Sequence, residues 1–182
     1  MTETQDARQK WAAELAELVE KQIRGRHLAA HLYARLALLL QTEEVRFAQV
    51  ALQETRRYVN GDLFVWTDRY LAVAQFSTVA ITYPQEERSF LEDHRDASVS
   101  VRLIPRATLR GLLLPNLADG VSINDGATWN WKIEGGDWSW PQGASLSLDY
   151  RDLDKPLMLP GSGDVDAFER LIPSLLDDLA AN

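Results

Sequence analysis

Leu63-Phe64-Val65-Trp66-Thr67-Asp68-Arg69-Tyr70-Leu71-Ala72-Val73-Ala74-Gln75-Phe76 decides the class of fold. β-Branched and aromatic residues fill Leu63–Thr67 and Tyr70–Phe76, and the polar pair Asp68-Arg69 separates the two runs. Residues of this kind fit a pleated, half-buried surface, and so short a polar joint turns one strand back beside the other. Working outward, Val79–Tyr83 reads as a further strand that Pro84 stops, and Ser98–Ile104 alternates as a strand that Pro105 ends. Leu109–Leu114, Ser145–Tyr150 and Leu157–Leu159 continue the series, with Pro160-Gly161-Ser162-Gly163 as the break after them. Upstream, Val45–Leu52 suits strand or helix by period and is assigned as a strand, while Asn60-Gly61 signals a turn. The charged run from Gln85 to Asp96 is a solvated loop or a short helix.

Both ends are helical by period. Trp11, Leu15, Leu18, Val19 and Ile23 share one face of an expected helix over residues 5–23, interrupted at Gly25. A second helix is expected over 27–40, apolar on most faces, with Leu28, Leu32, Leu36, Leu39 and Leu40 on one side. So apolar a helix needs cover on several sides, from the first helix and a sheet or from a second copy of the chain. Asp164 is placed to cap a last helix carrying Val165, Phe168, Leu171, Ile172, Leu175, Leu176 and Leu179, with Pro173 expected to kink or split it. Runs of strands without intervening helices make the class α+β, divided into a helical pair at 1–42 and an antiparallel β domain with a C-terminal helix at 43–182.

The 182 residues contain no Cys, which removes disulfides, thiolate catalysis and Cys-ligated zinc. The N-terminus is polar and acidic, unlike a secretory signal, and the apolar run around Leu28–Leu40 is too short and interrupted to span a bilayer. A cytoplasmic location follows as the expectation. The net charge is −8, and residues 134–182 alone carry 3 basic and 10 acidic groups. No basic stripe suits a phosphate backbone or an anionic lipid, so nucleic acid and membrane insertion are not expected.

Leu63-Phe-Val-Trp-Thr67-Asp68-Arg69-Tyr70-Leu71-Ala-Val73 resembles the strand–Thr-Asp-Arg–strand signature of bacterial pleckstrin-homology-like domains. Leu103-Ile104-Pro105-Arg-Ala-Thr-Leu109 is similar to that family's later strand and turn, and Ser145–Leu159 with the helix from Asp164 to its last hairpin and capping helix. The likeness covers roughly residues 44–180. It implies two packed antiparallel sheets, a barrel closed at one end by the C-terminal helix, and a non-catalytic binding scaffold. The N-terminal helical pair and the richly aromatic hairpin described next depart from that pattern.

That hairpin, Trp129-Asn-Trp131-Lys-Ile133-Glu-Gly135-Gly136-Asp-Trp138-Ser-Trp140, holds four of the six Trp residues. With Gly135-Gly136 as a two-residue turn, Trp129, Trp131, Trp138 and Trp140 share a face with Ile133. The face lies on a core, on a partner protein or on a stacked ligand. Other groups carry less. His27 and His31, four apart on the expected helix, have the spacing of a metal pair, but no third ligand accompanies them. Asp149, Asp152, Asp154, Asp164 and Asp166 lack the order of a calcium loop, and Gly161-Ser162-Gly163 lacks the lysine of a phosphate cradle. No catalytic residue, metal site or cofactor is assigned. The expectation is a non-enzymatic interaction module that binds a protein partner or itself through residues 5–40. The alternative is a small carbohydrate- or ligand-binding domain or enzyme that uses the Trp face as a platform.

Overall fold

The computed structural model describes residues 3–55, 58–82, 92–113, 146–159 and 165–181. The elements, in chain order, are α1 (Glu3–Gln22), β1 (His27–Leu28), α2 (Ala30–Leu40), β2 (Phe47–Thr55), β3 (Tyr58–Trp66), β4 (Tyr70–Thr82), β5 (Ser98–Pro105), a 3-10 turn (Arg106–Thr108), β6 (Leu109–Leu113), β7 (Leu146–Tyr150), β8 (Leu157–Leu159) and α3 (Val165–Ala180). All six strand pairings among the described residues are antiparallel, so the class is α+β. The chain divides into two compact units, Met1–Pro105 and Arg106–Asn182.

In the first unit β2, β3, β4 and β5 form a meander, and β1 adds to β4 beyond the end of β5. Register places residues in cross-strand rows. Ala48–Val65–Ala72–Leu103 and Val50–Leu63–Ala74–Val101 lie on the face that belongs to the core shared with the helices. Trp11, Leu15 and Val19 of α1 and Leu32, Leu36 and Leu40 of α2 are buried in that same core. The apolar stripe of α2 is therefore covered within one chain. Its exposed large apolar residues are Leu38 and Leu39, and α1 exposes Leu18.

Two expectations change here. The second helix starts at Ala30, not at residue 27, because His27 and Leu28 pair with Thr82 and Ile81 as an extended strand. A ladder pairing overrides the helical preference of Leu28 and its alanine neighbours. Asn60-Gly61 is not a turn either. Thr55 is in register with Tyr58, which leaves both residues inside β3.

A β-bulge explains their placing. Between the pairs Val59↔Val79 and Gly61↔Phe76, β4 has one residue more than β3, and Thr78 takes φ 51 there. Asn60 Oδ1 accepts the Thr78 N–H at 2.8 Å, and Thr78 O accepts the His94 N–H at 3.2 Å. The bulge shifts the side-chain alternation of β4 by one, so that Val79 and Ile81 stay on the helix-facing side. Gly61 is required by close approach, since a Cβ there would lie 2.3 Å from Ala51 O.

The Thr67-Asp68-Arg69 joint also gains a physical account. Thr67 N donates to Tyr70 O at 2.9 Å, and the Thr67 hydroxyl accepts the Tyr70 N–H at 3.1 Å. Asp68 receives Arg46 through two nitrogens at 2.7 and 3.2 Å, and Arg69 donates to Glu43 at 2.7 Å. These contacts tie the turn to the segment that leads into β2. Hydrogen bonds to Asp68 and to Glu43 raise the pKa of Arg46 and Arg69 respectively.

The second unit has a three-stranded sheet, β6-β7-β8, with Leu109, Leu146, Leu148, Tyr150 and Leu159 buried. α3 is one helix that contains Pro173, rather than two segments, and Leu171 and Leu175 are buried among its described side chains. Arg106 joins the 3-10 turn to α3: its Nε and Nη2 donate to Asp178 at 2.8 and 3.0 Å, and Nη2 also donates to Ser174 O at 3.1 Å. Asp164, the expected cap, lies outside the described residues.

Candidate functional site

The face of β2–β5 opposite the helices changes character along its length. Phe47–Trp66–Leu71–Ile104 is one cross-strand row, entirely buried, with the Phe47 and Trp66 rings edge to face at 5.5 Å between centroids. Gln49–Phe64–Val73–Arg102 follows, with Arg102 exposed at the β5 end. The next row is Ala51–Asp62–Gln75–Ser100, and beyond it come Gln53 with Asn60 and Ser77 with Ser98. Apolar and aromatic side chains thus give way to short polar ones on a single sheet face.

The polar half forms an open groove of about 560 Å³. Leu52, Gly61 and Phe76, the residues between the polar positions in β2, β3 and β4, complete its lining. Short side chains and one glycine hollow the surface, and the bulge at Thr78 re-aims β4 beside it. The chemistry of the lining is that of carboxamides, hydroxyls and one carboxylate, Asp62. Among the described residues no cationic side chain lines it, and Arg102 lies one row away on the same face. The serines have no histidine or lysine beside them in the groove to take a proton, and a weak hydroxyl nucleophile needs such a base.

His27 and His31, read together from the sequence, are separated by the fold. His27 Nδ1 lies 2.7 Å from Glu20 on α1. His31 Nε2 lies 2.5 Å from Asp93 Oδ2, while Asp93 Oδ1 accepts the Ala80 N–H at 2.8 Å. The His31 Nδ1 accepts from Arg35, which makes Nε2 the protonated nitrogen and donor to Asp93. Asp93 and His94 fill the stretch of β4 between its pairings with β5 and β1, so this cluster joins α2 to the sheet. Among the described residues, no group of three or more His, Cys, Asp or Glu side chains is arranged to hold a metal ion.

No family model and no curated protein matches this chain. Trp129, Trp131, Trp138 and Trp140, the site residues expected from the sequence, lie outside the described residues, as does Asp164, while Asp166 falls in the first turn of α3. Asp149 is described on β7, where it accepts a hydrogen bond from Arg110 at 2.8 Å. None of the groove residues was singled out from the sequence. The usable signal is polar residues two apart in three successive strands, Asn60 and Asp62, Gln75 and Ser77, Ser98 and Ser100, with Gln53 beside them on β2. No helix among the described residues is long and apolar enough to cross a membrane.

Proposed function

We propose that this chain is a non-catalytic, cytoplasmic binding module built on a pleckstrin-homology-like scaffold. The observation that supports it is element order: a four-stranded antiparallel meander, then three antiparallel strands, then one C-terminal helix. The chemistry of the groove agrees, because it offers hydrogen bonds in number but no nucleophile–base pair. The acidic balance of the chain and the absence of Cys favour a cytoplasmic setting and disfavour nucleic acid.

Ligand-observed NMR of the intact chain with a mixture of small polar metabolites tests this reading. Broadening of one or more ligands, with spectra that stay unchanged over a day, is the expected outcome. Appearance of new product signals would replace the reading with an enzymatic one.

A protein partner or a second copy of the chain belongs to the same proposal. Leu18, Leu38 and Leu39 are the exposed large apolar residues that the helical pair offers to such a contact. Trp129, Trp131, Trp138 and Trp140 are proposed as further partner- or ligand-binding residues, and iodide quenching of red-shifted Trp emission tests this.

A further inference from the structure

We propose that the groove over β2–β5 binds a neutral polyhydroxylated ligand, a sugar in chemical class, with Asp62 as its principal acceptor. The proposal rests on the reading of the chain as a binding module and names what that module takes.

The first ground is a local contradiction. Gly, Asn, Asp and, to a lesser degree, Ala are depleted in strands, yet they occupy Ala51, Asn60, Gly61 and Asp62 in paired strands of one sheet. A sheet face meant only for solvent gains stability from threonine and long charged side chains in these places. Sequences break local rules of this kind chiefly where a site requires it. Asn60-Gly61-Asp62 is the clearest case, a run that reads as a turn but is held as strand, with Asn60 committed to the bulge at Thr78.

The second ground is the match between donors, acceptors and ligand. Asp62 makes no hydrogen bond or ion pair among the described residues, so both oxygens are open to hydroxyl donors. Gln53 and Gln75 offer an acceptor and two donors each, and Ser98 and Ser100 donate or accept. Asn60 Oδ1 is occupied by Thr78, which leaves its amide NH2 group to donate. A polyol uses all of these groups. An anion faces the Asp62 carboxylate, with no cationic side chain among the described lining residues, and a cation uses Asp62 and little else. The groove volume, about 560 Å³, falls within the usual range for small-ligand sites, roughly 300–1,000 Å³.

Titration of the isotope-labelled intact protein, followed by amide NMR shifts, tests the proposal. The probes are the methyl glycosides of glucose, galactose and N-acetylglucosamine, and myo-inositol, with inorganic phosphate and spermidine as charged comparisons. At least one neutral probe is expected to shift the amides of 51–53, 60–62, 75–77 and 98–100 in a saturable manner. Asp62→Asn is expected to weaken that binding by about tenfold or more, the loss associated with a hydrogen bond to a charged group. Gln75→Ala, at an exposed position, serves as a second variant should Asp62→Asn fail to fold. Silence of these amides toward every neutral probe overturns the proposal. Shifts there with phosphate or spermidine alone overturn the ligand class but leave the binding-module reading standing. Conversion of a bound probe to product instead overturns that broader reading.

Discussion

Single residues, Gly61, Asn60 and Arg106, meet partners that no neighbour in sequence can supply. A Cβ at Gly61 would lie 2.3 Å from Ala51 O and 3.1 Å from both the Leu52 and Phe76 side chains. The closest of these is backbone, so Gly61→Ala forces β2 and β3 apart and is expected to cost about 1–3 kcal/mol, as overpacking does. Urea melts measure this, and an unchanged midpoint would mean that the strands can separate locally without loss. Arg106 is 8% exposed and Asp178 14%, so the ion pair is largely out of water. Removing Arg106 takes a doubly hydrogen-bonded charge partner from the largely buried Asp178, and Arg106→Met is expected to lower stability by about 3–5 kcal/mol. The double variant Arg106→Met/Asp178→Leu should recover most of the loss. If both variants melt alike, the pair has no special coupling.

Among the elements, β2 shows how an edge is protected. Its outer side would present free backbone groups, the usual template for pairing with another chain. The Gln22 side chain at the end of α1 occupies two of them: Nε2 donates to Ala48 O at 2.7 Å and Oε1 accepts the Val50 N–H at 3.1 Å. One carboxamide thus imitates a short piece of partner strand. Gln22→Ala is expected to cost about 1–3 kcal/mol through these two bonds and to raise self-association, read by light scattering at fixed temperature. A variant that melts lower yet stays monomeric would show that the edge has other protection. The hairpin ion pairs behave differently. Arg46 and Arg69 are exposed to solvent at the Thr67–Tyr70 turn, so Arg46→Ala should leave the melting midpoint within error, and added salt should move it little. The Thr67 bridge across the turn keeps its geometry without them.

For the molecule as a whole, the position of α2 decides between two outcomes of one substitution. Leu36 is fully buried within the single chain, between residues of α1 and the sheet. Leu36→Asp is therefore expected to unfold the first unit, because a buried unpaired charge has no water to reach. Circular dichroism distinguishes this from a folded monomer, the outcome required if that stripe were an interface between copies. Leu38→Asp, at a residue 58% exposed, should leave the fold intact. Any self-association through the helical pair should weaken in that variant alone, as sedimentation equilibrium against the 20.6 kDa monomer mass would read.

The α+β order, most strands and most buried positions of α1 and α2 were legible in the chain, because alternation of two and a period near four are local properties, but Leu18 and Leu39, expected on those apolar faces, are exposed. Val45–Leu52, ambiguous by period, became β2 through its pairing with β3. The start of α2, the role of Asn60-Gly61 and the groove were not legible in that way. Each depends on partners distant in sequence: Asn60 on Thr78, 18 residues away, His31 on Asp93, 62 away, and Arg106 on Asp178, 72 away. Local preference selects helix, strand or turn for a segment by fractions of a kcal/mol, while a ladder, a bulge or a buried ion pair acts with several times that energy. Where the two agreed, as at Leu63–Phe76, reading the residues sufficed. Where they conflicted, as at His27-Leu28 and Asn60-Gly61, long-range pairing prevailed, and it also assembled the polar groove from four separate strands.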